Sequence, residues 1–155
     1  IVSRCPRPDG LIGNFMSESP SVQTAPQRSQ PNDSDQLSEN AVKQAVGQWL
    51  REHGWETAIA WNRERGIDID AHRASDRWII EAKGCGTSPQ ERGNYFLNGL
   101  AELVQRMIDP AARYSLAFPD LPRYRGLWER LPPLAKDRLR LSMLFVDDKG
   151  AVREA

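Results

Sequence analysis

From residue 37 onward, apolar positions recur in two successive rhythms. In "LSENAVKQAVGQWLREHGW" they fall at Ala41, Val42, Ala45, Val46, Trp49 and Leu50, the i, i+3, i+4 spacing of a helix. Ser34 or Ser38 can cap its start, and Gly54 closes it. The period then changes to two. "WETAIAW" alternates Trp55, Thr57, Ile59 and Trp61. After the turn "NRERG", "IDIDAH" places Ile67, Ile69 and Ala71 on one face. After "RASDR", "WIIEAK" forms a third run. This spacing predicts three consecutive, largely antiparallel strands.

A Gly/Ser/Pro loop, "GCGTSP", leads into a long helix over about residues 89–108. Its expected buried stripe is Phe96, Leu97, Leu100, Leu103, Val104, Met107 and Ile108, and Pro110 ends it. "RYSLAFP" reads as a fourth strand. The Pro- and Arg-rich stretch 120–138 holds a short helix around Leu127. "LRLSMLFVD" reads as a fifth strand, followed by the turn "DDKG". The order α-β-β-β-α-β-(α)-β predicts an α/β domain with a mixed central sheet flanked by helices on both faces.

Composition bounds this picture. The 155 residues suffice for one domain with a hydrophobic core. Residues 1–36 are rich in Ser, Pro, Gln and Asn. They bury too little apolar surface to offset the entropy of ordering, so a disordered tail precedes a folded domain at 37–155. The chain opens on Ile1 and its first methionine is Met16; residues 1–15 are expected to be a non-native extension. Lys+Arg and Asp+Glu both number 21, which excludes a simple polycation. The two cysteines, Cys5 and Cys85, have no zinc-ligand spacing and fit a reducing cytoplasm. No apolar run reaches the ~18 residues of a membrane span.

The strands carry charges where a core strand carries none. Alternation puts Asp68, Asp70 and His72 on one face of the second strand, and Ile79, Glu81 and Lys83 on one face of the third. The opposite faces, Ile67/Ile69/Ala71 and Trp78/Ile80/Ala82, are apolar. Pairing across "RASDR" brings Asp68 toward Glu81 and Lys83. Two carboxylates beside one lysine are costly as bare charges and become favourable around a hard divalent cation such as Mg²⁺ (or Mn²⁺). Such an ion suits chemistry at phosphate oxygens, with the lysine handling the attacking water or the developing charge. Without these companions, Glu81 and Lys83 make an ordinary cross-strand ion pair and Asp68 an ordinary turn residue. Asp70 reads as solvated or supporting, His72 as exposed, and Cys85 as a free loop thiol with no histidine to activate it.

"GIDID…WIIEAKG" resembles the signature of the PD-(D/E)-x-K nuclease superfamily, the restriction-endonuclease-like fold, and in pattern its Holliday-junction-resolvase-like members. The resemblance covers most of residues 38–146 and implies an αβββαβ core. It implies that Asp68 and Glu81 hold the metal and that Lys83 is the catalytic lysine. It also implies that Glu39, opening the first helix, supports the metal and that Gln105, on the following helix, faces the site. The proline of the motif's name is absent, since Ile67 precedes Asp68. The implied activity is metal-dependent hydrolysis of DNA phosphodiester bonds, directed by DNA structure or a protein partner, with action as a homodimer. Glu39 reads equally as a complement to its helix's positive end. The alternative function is a non-catalytic nucleic-acid-binding or interaction module on the same fold.

One further segment bears on DNA. "RYRGLWERLPPLAKDRLR" sets Arg123, Arg125, Arg130, Lys136, Arg138 and Arg140 against Glu129 and Asp137. Lys/Arg clusters with interleaved aromatics suit phosphate-backbone contact, and a solvated helix face accounts for them equally.

Overall fold

The computed structural model describes residues 37–62 and 64–155; the expected tail 1–36 lies outside them. Helix α1 (Glu39–Glu52) forms because Val42, Val46 and Leu50 repeat on one face and Ser38 caps its start, its hydroxyl accepting the Ala41 N–H at 3.2 Å. Strands β1 (Glu56–Ile59), β2 (Ile69–Arg73) and β3 (Asp76–Ala82) follow, then helix α2 (Pro89–Gln105) and strand β4 (Arg113–Pro119). Helices α3 (Pro122–Arg130) and α4 (Pro133–Leu139) lead into β5 (Leu141–Val146) and β6 (Val152–Glu154).

The strands form one sheet in the order β1-β2-β3-β4-β5-β6. The outer pairs are antiparallel, whereas β3, β4 and β5 run parallel. Helix α1 packs on one face, closing a core of Val42, Val46, Leu50, Trp55, Ile69, Trp78, Ile80 and Leu144. Helices α2 and α3 close the other face over Ile79, Phe96, Leu103, Leu116, Phe118, Tyr124 and Phe145. The expected α/β class, mixed sheet and αβββαβ order are all present. Among the described residues no helix is long and apolar enough to cross a membrane.

Four details depart from the periodicity. The "DDKG" turn closes a hairpin, with Asp147 Oδ1 accepting the N–H groups of Lys149 and Ala151, and so adds β6. The Pro/Arg-rich stretch holds two helices, each with proline at its first position, where the missing N–H costs nothing. Helix α2 stops at Gln105, and its buried line is Phe96, Gly99 and Leu103. Leu97, Val104 and Ile108 lie off that line and are exposed, Ile108 at 85%. Last, Ile67 does not share a face with Ile69 and Ala71: it packs on the α2 side, they on the α1 side. The ladder with β3 begins only at Ile69, so the residues before it are not bound to strand alternation.

Candidate active site

The site is built where β3 leaves the sheet. Two contacts clamp the start of α1 onto this exit. The Cys85 N–H donates to the Leu37 carbonyl at 2.9 Å, and Gly84 lies so close to α1 that a Cβ there would stand 2.7 Å from the Glu39 nitrogen. The lack of a side chain at Gly84 thus lets Glu39 sit beside Lys83. On the other side, Gly99 lets α2 pass over the Lys83 stem. Thr87 and Ser88 fix the start of α2: Ser88 Oγ accepts the Glu91 N–H, and Glu91 reaches back to the Thr87 N–H at 2.7 Å.

Asp68, freed from alternation, turns toward α1. Its Oδ2 accepts the N–H of Ala82, the residue between Glu81 and Lys83, at 2.9 Å. Its Oδ1 meets the Lys43 ammonium, also at 2.9 Å. Lys43 is buried and binds Glu39 at 2.8 Å and the Ala60 carbonyl at 2.9 Å as well. Burial by itself pushes this ammonium toward neutrality. The hydrogen bonds and charges of Glu39 and Asp68 outweigh it and hold the Lys43 pKa above the usual lysine value. Lys43 is therefore a fixed cation, not a base.

Glu81 faces the α2 side and is 1% exposed. Its Oε1 accepts from Lys83 Nζ at 2.8 Å, and its Oε2 pairs with the Arg106 guanidinium. Lys83 also reaches Glu102 at 2.6 Å. The two halves meet at the Ala82 backbone. Beside them opens a cleft of about 430 Å³, lined by Glu39, Lys83, Glu102, Tyr95 and the Gly84–Thr87 backbone. It lies at the carboxyl end of β3, where open sheets with parallel strands commonly bind ligands.

Asp68 and Glu39 thus meet at Lys43, Glu81 meets Lys83, and Glu39 and Lys83 share the cleft; Asp68 and Glu81 are linked only through the Ala82 backbone. Gln105 joins none of them: it is exposed on the last turn of α2, and Glu102 of that helix and Arg106, which caps its end, make the contacts instead. Lys43, Glu102 and Arg106 are the residues that the sequence reading missed. Lys43 stands in the apolar stripe of α1, four residues after Glu39, and a lysine at such a position signals a buried partner. Asp70 does not share the face of Asp68. It is clamped by Arg77 at 2.9 and 2.7 Å and touched by His72, and Arg77 holds its carboxyl below the usual range. Burial pushes the Cys85 thiol up, so it offers no thiolate.

The basic stretch is divided. Arg125 pairs with Asp120 at the carboxyl end of β4, and Arg123 lies against Gly93 of α2. Lys136 covers the Trp128 ring, and Arg138 is exposed on α4. Arg140 bonds the Pro110 carbonyl, which precedes β4 at the opposite end of the strands.

The acids offer only oxygen, the donor set of a hard divalent cation. The Lys43 ammonium already shows that Glu39 and Asp68 reach a single cation. In this structure Glu39, Asp68, Glu81 and Glu102 are each met by a lysine or arginine, and among the described residues no three acidic, histidine or cysteine side chains converge on one point.

No family model and no curated protein matches the chain. Solved structures resemble it, among them the following two. An XisH family protein from Nostoc punctiforme is 18% identical, with 73% of this chain and 96% of that one covered and a TM-score of 0.50. An fdxN element excision controlling factor protein from Anabaena variabilis is also 18% identical, with 74% and 96% covered and a TM-score of 0.51. At this identity the likeness establishes a shared fold.

Proposed function

We propose that this chain is a metal-dependent nuclease that hydrolyses phosphodiester bonds in DNA, with Asp68 and Glu81 as metal ligands and Lys83 as the catalytic lysine. The observation that carries the reading is the Asp68–Ala82 hydrogen bond, which ties Asp68 to the backbone between Glu81 and Lys83, while Lys83 itself lines the cleft. A bound Mg²⁺ or Mn²⁺ supplies Lewis acidity at a phosphoryl oxygen and acidifies a water. The residues do the rest. Lys83 spends two donors on Glu81 and Glu102, and an ammonium has three. The third is available to a phosphate oxygen in the cleft. Arg106 fixes the Glu81 carboxylate from behind, and Glu39 holds Lys43 against Asp68. Arg123, which lies against Gly93 of α2, is a basic residue this reading assigns to the DNA backbone. One fold neighbour is named an fdxN element excision controlling factor, and a nuclease reading is in keeping with that name.

A second reading draws on the pairing of Glu39, Asp68, Glu81 and Glu102 with lysine or arginine: acids so neutralised are stable without metal and suit a DNA-binding module that does not cut. The test is Mg²⁺- and Mn²⁺-dependent cleavage of linear, single-stranded, flapped and four-way DNA. Cleavage that EDTA abolishes supports the nuclease. DNA binding without cleavage, indifferent to metal, supports the module.

A further inference from the structure

Lys43 is the one buried Lys or Arg side chain among the described residues. It stands on the apolar face of α1, between Val42 and Val46, where an ammonium is costly unless fully paired. It is fully paired: three donors meet three oxygens, Glu39 Oε1 at 2.8 Å, Asp68 Oδ1 at 2.9 Å and the Ala60 carbonyl at 2.9 Å. Two carboxylates and a carbonyl are also the oxygen set that a hard divalent cation takes. The ammonium brings one positive charge to two negative ones.

We propose that Lys43 is a built-in occupant of the cation position between Glu39 and Asp68, competing with a divalent ion for Asp68 and keeping the site's hold on that ion weak. This rests on the reading of Asp68 as a metal-facing acid. While Lys43 stays, an ion approaching Asp68 meets a like charge 2.9 Å from Oδ1, and the other oxygen, Oδ2, is committed to the Ala82 N–H. Removing the charge and keeping the shape leaves two carboxylates facing each other with no cation between them. A divalent ion then becomes the favoured occupant.

The test is Mn²⁺ binding by the full chain without DNA, followed by the electron paramagnetic resonance of free Mn²⁺, with thermal melting in EDTA and in Mn²⁺ beside it. Lys43→Met is expected to melt lower than wild type in EDTA and to recover in Mn²⁺, because an ion that binds only the folded state stabilises it. It is expected to bind Mn²⁺ at least about tenfold more tightly than wild type, a change of about 1.4 kcal/mol. The gain should vanish in Lys43→Met/Asp68→Asn. Lys43→Gln, which keeps amide donors for Ala60 and Asp68, serves where the methionine variant does not fold. A folded variant that binds Mn²⁺ no more tightly than wild type overturns the proposal, as does a gain that survives loss of Asp68. Because DNA is absent, these results stand apart from the nuclease reading. Unchanged Mn²⁺ binding removes the role of Lys43 even in an enzyme that cuts. Tighter binding upholds it even where no cleavage is found.

Discussion

Replacing Gly84 with alanine tests how the site is assembled. A Cβ at this position would lie 2.7 Å from the Glu39 nitrogen, 3.1 Å from the Ser38 carbonyl carbon and 3.2 Å from the Leu37 oxygen. All three are backbone atoms, so no flexible side chain can swing aside. Either the start of α1 retreats, carrying Glu39 with it, or the exit of β3 shifts, carrying Lys83. Overpacking of this kind costs about 1–3 kcal/mol. The Cys85–Leu37 and Tyr124–Gly84 hydrogen bonds, both 2.9 Å, straddle the same point, and weakening them costs about 1 kcal/mol more. Together they set an expected loss of about 2–4 kcal/mol, or roughly 8–16 °C in Tm for a domain of this size. Urea and thermal unfolding measure it directly. Gly126→Ala is the matched control: nothing lies within 4 Å of its Cβ, and it sits inside α3, so alanine should stabilise by roughly 0.5–1 kcal/mol. A Gly84→Ala protein as stable as wild type would refute the clamp between α1 and β3.

Two further outcomes are expected. Asp70→Asn should cost about 1 kcal/mol at neutral pH, as befits a partly exposed bidentate pair with Arg77. The Asp70 pKa is lowered in the fold, so its contribution is present above the unfolded value of about 3.9 and fades as pH falls through the folded one. The gap between wild type and Asp70→Asn in urea titrations should therefore close below about pH 4; a gap that widens with acid contradicts the pairing. Gln105→Ala should leave any cleavage rate unchanged, whereas Arg106→Met, which strips the guanidinium from buried Glu81, should lower it; a large loss in Gln105→Ala alone would restore the role that the family resemblance implies for that residue.

Much of the fold is legible in the chain because β2 and β3 are short, two-faced and joined by a tight turn, so hydrophobic alternation fixes their register. The helix α1 is equally plain from its apolar stripe. Two things are not. Alternation holds only within a hydrogen-bonded ladder, and Asp68 lies one residue before it, so the sequence placed Asp68 beside Asp70 when it faces Lys43 instead. Helix α2 carries more apolar residues than its buried face needs, so periodicity could not say that Leu97 and Ile108 stay outside, that Glu102 meets Lys83 or that Arg106 meets Glu81. The acids themselves were readable from residue type. Two of the cations that hold them, Lys43 and Arg106, come from α1 and the end of α2, distant in sequence from Asp68 and Glu81, and packing pairs them.

The most direct test of the account is the single-turnover cleavage rate of DNA in Mg²⁺ or Mn²⁺ for wild type, Asp68→Asn, Lys83→Ala and Asp70→Asn. The nuclease reading predicts that Asp68→Asn and Lys83→Ala fall by at least about a hundredfold, while Asp70→Asn, two residues along the same strand run, cuts within about threefold of wild type by its structural role alone. Cleavage by Asp68→Asn at the wild-type rate would contradict it.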